Sequence, residues 1–149
     1  MPNALFQQLS EHEVPVLLGL MREFYPLQHM RFDEGVARAA VQALLSDPSL
    51  GQICFVYRGA ELAGYLVLTF CFSLEFHGRF GLLDELYLRE AFRRKSLGKA
   101  VMAFAENLCR QKGIQALRLE VGRDNQPAQG LYRKSGFREE ERYLFTKWL

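Results

Sequence analysis

Apolar positions recur at two different spacings along the chain, and the changes between them mark out the elements. Val14, Leu17, Leu18 and Met21 fall three and four residues apart, with Phe24 and Tyr25 next, which is the stripe of an amphipathic helix. Ser10 precedes this stripe and Glu13 follows three residues later, the pattern of a capping box, and Pro26 is the expected stop. A second helix is expected after Asp33, with Val36, Ala40, Ala43 and Leu44 inward, ending before Asp47-Pro48. The period then shifts. Residues 52–57 and 62–70 read as two strands around the turn Arg58-Gly59-Ala60, an antiparallel hairpin. Residues 71–79 break the pattern, and residues 80–88 form a further strand. Helical spacing returns at Leu97, Val101, Phe104, Ala105 and Leu108, with Gly113 as the stop. Residues 114–121 alternate, Leu117, Leu119 and Val121 against Arg118 and Glu120. Asp124 or Asn125 caps a last helix with Pro127 in its first turn, and Gly136 ends it. Residues 137–149 are expected to supply two closing strands around Glu140-Glu141-Arg142.

Strand, helix and strand in succession, with a helix of this length between, make a crossover and hence a parallel pair. The fold class expected is α+β: a mixed, mostly antiparallel sheet with helices on both faces. At 149 residues the chain reads as one domain, 1–149, long enough to bury a core. A net charge of +2 gives no footprint for nucleic acid, and the cations crowd one loop rather than a face. No apolar run approaches the roughly 18 residues that would suggest a membrane span, and no signal-peptide pattern opens the chain. Cys54, Cys71 and Cys109 are odd in number and far apart, and the three histidines lack ligand spacing. Reduced thiols, a cytoplasmic location and no metal site are the expectation.

The chemistry concentrates where the strand 80–88 runs into the next helix. Arg89, Arg93, Arg94, Lys95 and Lys99 crowd a turn that carries Ser96 and Gly98, against a single nearby Glu90. Backbone N–H groups at such a turn, together with the helix N-terminus, suit a phosphate or pyrophosphate; the alternative is a solvated basic loop. A nucleotide-triphosphatase loop is excluded, because Arg93 stands where its first glycine belongs and Ala100 where its hydroxyl belongs. The dinucleotide fingerprint fails too, since only Gly98 is present.

Arg93-Arg94-Lys95-Ser96-Leu97-Gly98 instead resembles motif A, [QR]-x-x-G-x-[GA], of the GNAT superfamily of acyl-CoA N-acyltransferases, with Ser96 in place of its first glycine. Asn125-Gln126-Pro127-Ala128-Gln129-Gly130-Leu131-Tyr132-Arg133-Lys134-Ser135-Gly136-Phe137 resembles motif B, N-x-x-A-x-x-L-Y-x-K-x-G-F, in the expected order. The resemblance covers residues 50–149 well and the first 45 loosely. It implies the same α+β fold and acetyl-CoA as co-substrate, without a metal.

It also implies roles for particular residues. Arg93, Arg94, Lys95, Ser96, Leu97, Gly98 and Lys99 would hold the pyrophosphate. The peptide-like arm of the coenzyme would pair with Leu86, Tyr87 and Leu88, a strand that splays from its parallel neighbour. A backbone N–H near Leu88 would polarise the thioester carbonyl. An acceptor amine must lose a proton before it attacks. Asp84 and Glu85 are candidates for a base acting through water or for an anchor of a cationic amine; only one is expected to face the cleft. A surface salt-bridged pair is the alternative. Arg79, Tyr87 and the stretch 71–79 are candidates for the acceptor side. Tyr132 is the candidate acid for the departing thiolate, or a packing residue. Asn125 is a helix cap, a contact to the coenzyme arm, or both. The function expected is acetyl transfer to a primary amine of a small molecule in a ternary complex. Acetylation of a protein N-terminus or lysine, and a non-catalytic acyl-CoA-binding module, are the rivals. The closing strands offer a surface for a homodimer.

Overall fold

The structure is a computed structural model, and it describes residues 3–94 and 96–149. Its centre is a five-stranded sheet in the order β1-β2-β3-β4-β5. The strands are β1 (Ala4–Gln8), β2 (Gly51–Arg58), β3 (Glu61–Ser73), β4 (Gly78–Leu88) and β5 (Leu117–Leu119). The first four pair antiparallel in sequence, and β5 joins β4 parallel. Four helices cover it: α1 (Val14–Leu27), α2 (Glu34–Ser46), α3 (Leu97–Gln111) and α4 (Gln126–Lys134). This is the mixed α+β arrangement expected from the sequence, including the β4-α3-β5 crossover.

Both faces of the sheet are buried, which is why β2 and β3 read as near-continuous apolar runs rather than as alternating ones. Ile53, Phe55, Tyr65, Val67 and Tyr87 turn to one face, where they meet Val14, Leu17, Leu18 and Met21 of α1 and Ala37 and Val41 of α2. Cys54, Val56, Ala63, Leu66, Leu68 and Leu83 turn to the other, against Leu97, Val101, Met102 and Cys109 of α3. Gly64 holds the middle strands together. A Cβ there would collide with the Tyr87 carbonyl across the ladder, so only glycine lets β3 approach β4 at that point.

Several boundaries differ from the sequence expectation. β1 was not anticipated; its five residues carry too short an alternation to register. Of the expected α2 stripe Leu44 packs on the core, but the buried positions upstream of it are Ala37 and Val41, and Val36 is 69% exposed. Asp33 does cap α2, accepting from the Val36 N–H, so the cap fixed the start while Ala-rich composition left the inward face ambiguous. α1 passes through Pro26 and ends at Leu27. β3 and β4 extend into the stretch 71–79, leaving only a short turn, Leu74–Phe76, between them. β5 is cut to three residues, and at its expected start Ile114 is drawn back onto the end of α3, its N–H donating to the Cys109 carbonyl. Residues 137–149 form no strand: they run along the surface with Tyr143, Leu144, Phe145, Trp148 and Leu149 exposed.

Candidate active site

β4 changes partner halfway along. On one side it pairs with β3 through Leu88, but its pairing with β5 ends at Leu83↔Leu119. Among the described residues, 84–88 therefore have no strand partner on that edge. The register explains it. Opposite β3, Val67 pairs with Glu85 and Leu68 with Leu83, so Asp84 is an extra residue, a bulge. The bulge also shifts the phase of the strand. Gly81 N–H donates to the Ala116 carbonyl beside β5, whereas Arg89 N–H donates to the Ala63 carbonyl of β3. Backbone groups alternate along a strand, so the N–H groups of Leu86 and Leu88 point into the free edge and that of Tyr87 does not. The Leu88 carbonyl is already taken, by the Arg93 Nε–H at 2.8 Å.

The two carboxylates at the bulge are held differently. Glu85 turns to the α1 face, where Tyr25 Oη–H donates to one oxygen at 2.7 Å and Tyr65 Oη–H to the other at 2.6 Å. Burial pushes the Glu85 carboxyl up, the two phenols pull it back, and the nearby Asp84 charge adds to the rise. Both phenols are themselves raised, first by burial and then by Glu85 and Asp84. Asp84 makes no side-chain hydrogen bond or ion pair among the described residues. It keeps exposed surface, yet enough protein surrounds it for desolvation to raise its carboxyl. Among the described residues no ion pair includes Asp84 or Glu85. A second, partly exposed network ties α1 to the end of β4: Arg89 forms two hydrogen bonds to Glu23, which also accepts from Tyr87 Oη–H at 3.1 Å. Arg89 holds the Glu23 carboxyl below the usual range.

Past β4 the chain turns into α3 through two left-handed residues, Arg94 at φ 61° and Ser96 at φ 63°. Glycine would adopt this conformation without strain; Ser96 adopts it with a Cβ. The first α3 bond runs from the Ala100 N–H to the Ser96 carbonyl, so the N–H groups of Leu97, Gly98 and Lys99 have no partner within the helix. The Ser96 side chain makes no capping hydrogen bond to them. Arg94 and Lys99 are exposed beside this turn, while the Leu97 side chain is in the core, leaving only its backbone available. Lys95 lies outside the described residues. Asn125 caps α4, accepting from the Ala128 N–H at 3.3 Å.

Gly98 brings the two halves of the site together. A Cβ on it would lie 2.8 Å from a methyl of Leu131, so the bare backbone lets α4 rest on the start of α3. Tyr132, next in α4, then packs on the same cluster as Leu86 and Leu88, edge-on to Phe137 at 5.9 Å. Its phenol has no hydrogen-bond partner among the described residues, and burial raises it. The free strand edge, the uncapped helix start and Tyr132 thus share one side of the sheet, with Asp84 and Glu85 at the bulge between the two sides. Sequence reasoning missed Tyr25, Tyr65 and Glu23, and grouped Arg89 with the basic turn, whereas it pairs with Glu23. Tyr25 and Tyr65 lie 60 and 20 residues from Glu85 in sequence, and no local spacing links them. Arg79 and the cavity it lines with Phe76, His77 and Lys112 sit at the opposite end of β4.

The model of the Acetyltransferase (GNAT) family matches residues 16–137. A spermidine N(1)-acetyltransferase of Thermoplasma acidophilum is 38% identical over 59 residues, 40% of this chain and 37% of its own length. An aminoalkylphosphonate N-acetyltransferase of Salmonella typhimurium is 27% identical over 123 residues, 83% of this chain and 75% of its own. Among solved structures, an integron cassette protein from the mobile metagenome of Cole Harbour Salt Marsh is 35% identical. It superposes with a TM-score of 0.85 over 97% of this chain and 90% of that one.

Proposed function

The chain belongs to the GNAT acetyltransferase family, and from that premise we propose that it transfers the acetyl group of acetyl-CoA to a primary amine of a small molecule, directly, in a ternary complex. The observation that carries this reading is the free edge of β4 at residues 84–88, with two carboxylates at its start and an uncapped helix N-terminus at its end. The two relatives named above act, by their names, on small amines, which supports the acceptor class.

The residues fit a coenzyme of this kind. The unpartnered N–H groups of Leu97, Gly98 and Lys99, with Arg94 and Lys99 beside them, suit a pyrophosphate. The outward backbone groups of Leu86 and Leu88 suit an amide-bearing arm, and the free amide N–H2 of Asn125 suits one of its carbonyls. Acetyl-CoA supplies an activated acyl thioester and a thiol leaving group. The Leu88 N–H, aimed into the edge, stabilises negative charge developing on the acyl oxygen. Asp84 takes a proton from the acceptor ammonium: among the described residues it has no competing partner, and its affinity for protons is raised. Glu85, with both oxygens held by phenols, stays in place as the negative wall that attracts the ammonium. Tyr132 gives its proton to the departing sulfur, and its unbonded, desolvated phenol is suited to that.

Initial rates measured with both substrates varied test the route. A ternary complex gives intersecting double-reciprocal lines. Parallel lines would show an acyl-enzyme and overturn direct transfer.

A further inference from the structure

Asp84 stands at the end of a row of side chains on the α1 face of the sheet. Gly81 and Leu83 face α3, so Phe80, Leu82 and Asp84 turn the other way. On β5, Leu117 and Leu119 join the α3 cluster, and Arg118 between them turns to the same face as Asp84. Arg118 is the cross-strand partner of Leu82. Phe80 and Leu82 are half-buried and belong to neither core cluster, and the same holds for Phe76, whose ring lies 5.1 Å from that of Phe80. Together they make an apolar shelf that begins beside Asp84. The Arg118 guanidinium ends it, over Phe76 at 5.0 Å and over Phe80 at 5.6 Å. Contact with a ring face occupies the flat side of a guanidinium and leaves the N–H fork at its edge free. Arg118 is half-buried, and among the described residues it forms no ion pair and no side-chain hydrogen bond. Glu75 feels its charge, but that carboxylate is already bonded to Arg142 at 2.9 Å.

We propose that Arg118 sets the specificity of the acceptor site by binding a carboxylate at the far end of an amine whose ammonium sits on Asp84, so that the preferred acceptor is an extended zwitterion. This inference rests on the acyl transfer proposed above and names its acceptor. The guanidinium fork matches a carboxylate with two parallel hydrogen bonds, and the half-buried setting strengthens them. The shelf of Leu82, Phe80 and Phe76 between the two charges suits the methylenes that join them. Distance sets the length. Asp84 and Phe80 are four residues apart on one strand, about 13 Å at roughly 3.3 Å per residue. Allowing about 3 Å at each end for the bonds to the protein leaves roughly 7 Å between the charges of the acceptor, a span that ε-aminocaproate reaches and glycine does not. The arrangement also discriminates. On this face the carboxylates stand at the bulge and the unpaired cation at the other end of the shelf, so a diamine of the same length would set its second ammonium against the guanidinium.

The test is kcat/KM of the full chain, at saturating acetyl-CoA, for ε-aminocaproate, n-hexylamine, glycine and cadaverine. n-Hexylamine matches ε-aminocaproate in length without the carboxylate, glycine has both charges without the length, and cadaverine has an ammonium at each end. The expected result puts ε-aminocaproate first, about tenfold or more above n-hexylamine, the worth of a charge-assisted hydrogen bond, with glycine and cadaverine lower still. Arg118→Gln should bring ε-aminocaproate down to the level of n-hexylamine. Arg118→Lys keeps the charge and loses the fork, and should retain part of the preference. Equal use of ε-aminocaproate and n-hexylamine by the wild type overturns the proposal and leaves the transfer reading standing. Cadaverine as the best of the four overturns it in favour of a polycationic acceptor. A preference for ε-aminocaproate that survives Arg118→Gln overturns the assignment to this residue, and turnover of none of the four overturns the proposal outright. If the glutamine variant does not fold, the wild-type order and the lysine variant decide.

Discussion

Asp84 and Glu85 are adjacent in sequence and opposite in circumstance. Their identity as a candidate site was legible from two carboxylates in an apolar strand. Which one reacts was not, because that depends on the bulge and on two tyrosines brought in from α1 and β3. Asp84→Asn separates the roles. Its raised carboxyl means that the acid limb of the pH profile of kcat/KM lies above the ordinary aspartate value of about 3.9, with activity rising as the group loses its proton. The variant should lose that limb and roughly 10²-fold or more in rate, the scale of a positioned base, with coenzyme affinity unchanged. Stability moves the other way. A carboxyl whose pKa is raised by folding destabilises the fold progressively as the pH climbs from the unfolded value through the folded one. The asparagine variant should therefore unfold at a higher urea concentration than wild type at neutral pH, and the difference should vanish well below the unfolded value. Wild-type turnover in the variant would return Asp84 to a structural role. Tyr132→Phe is the companion test. It should lower turnover by about 10²–10³-fold without weakening coenzyme binding, because the ring still packs and only the proton is gone. Unchanged turnover with chemistry rate-limiting would make Tyr132 a packing residue alone.

At the scale of elements, the turn from β4 into α3 carries the departure from the family pattern. The serine at 96 was legible in the sequence as that departure; its left-handed conformation was not, and neither was the second left-handed residue, Arg94. Ser96→Gly removes a Cβ from a strained position and leaves the backbone path intact, so acetyl-CoA affinity should change by no more than about 1 kcal/mol. Ser96→Val puts a β-branched side chain where φ is 63°, a conformation such residues resist, and should bind far more weakly. Calorimetric titration of both variants decides; valine binding as well as serine would remove the pyrophosphate from this turn. The strand pair poses a separate test. Gly64→Ala drives a Cβ into the Tyr87 carbonyl, and the neighbour is backbone, so the ladder itself must shift. A loss of about 2–3 kcal/mol of stability in denaturant melts, the scale of an overpacked core, is expected, with activity falling because residues 84–88 move. A variant as stable as wild type would show that β3 and β4 can separate there freely.

For the whole molecule, the order of elements came through in the sequence wherever a period was long and clearly bounded. α1, α3, α4 and the central strands are examples. It failed at the periphery. β1 is too short to show a period, the α2 stripe is blurred by alanines, and the expected closing strands do not form among residues 137–149. What no local pattern could give is the pairing that makes the site: the β4–β5 ladder ending at Leu83, and α1 reaching Glu85 through Tyr25. The proposed transfer brings a thioester to an amine where the sheet opens beside an uncapped helix start and two desolvated carboxylates. Release of free thiol from acetyl-CoA, followed with and without spermidine or an aminoalkylphosphonate as acceptor, tests that most directly. Thiol release that depends on the enzyme and on the amine, and that saturates in both substrates, is the predicted result. No amine-dependent release across small amines, peptides with free N-termini and lysine-bearing peptides would contradict it.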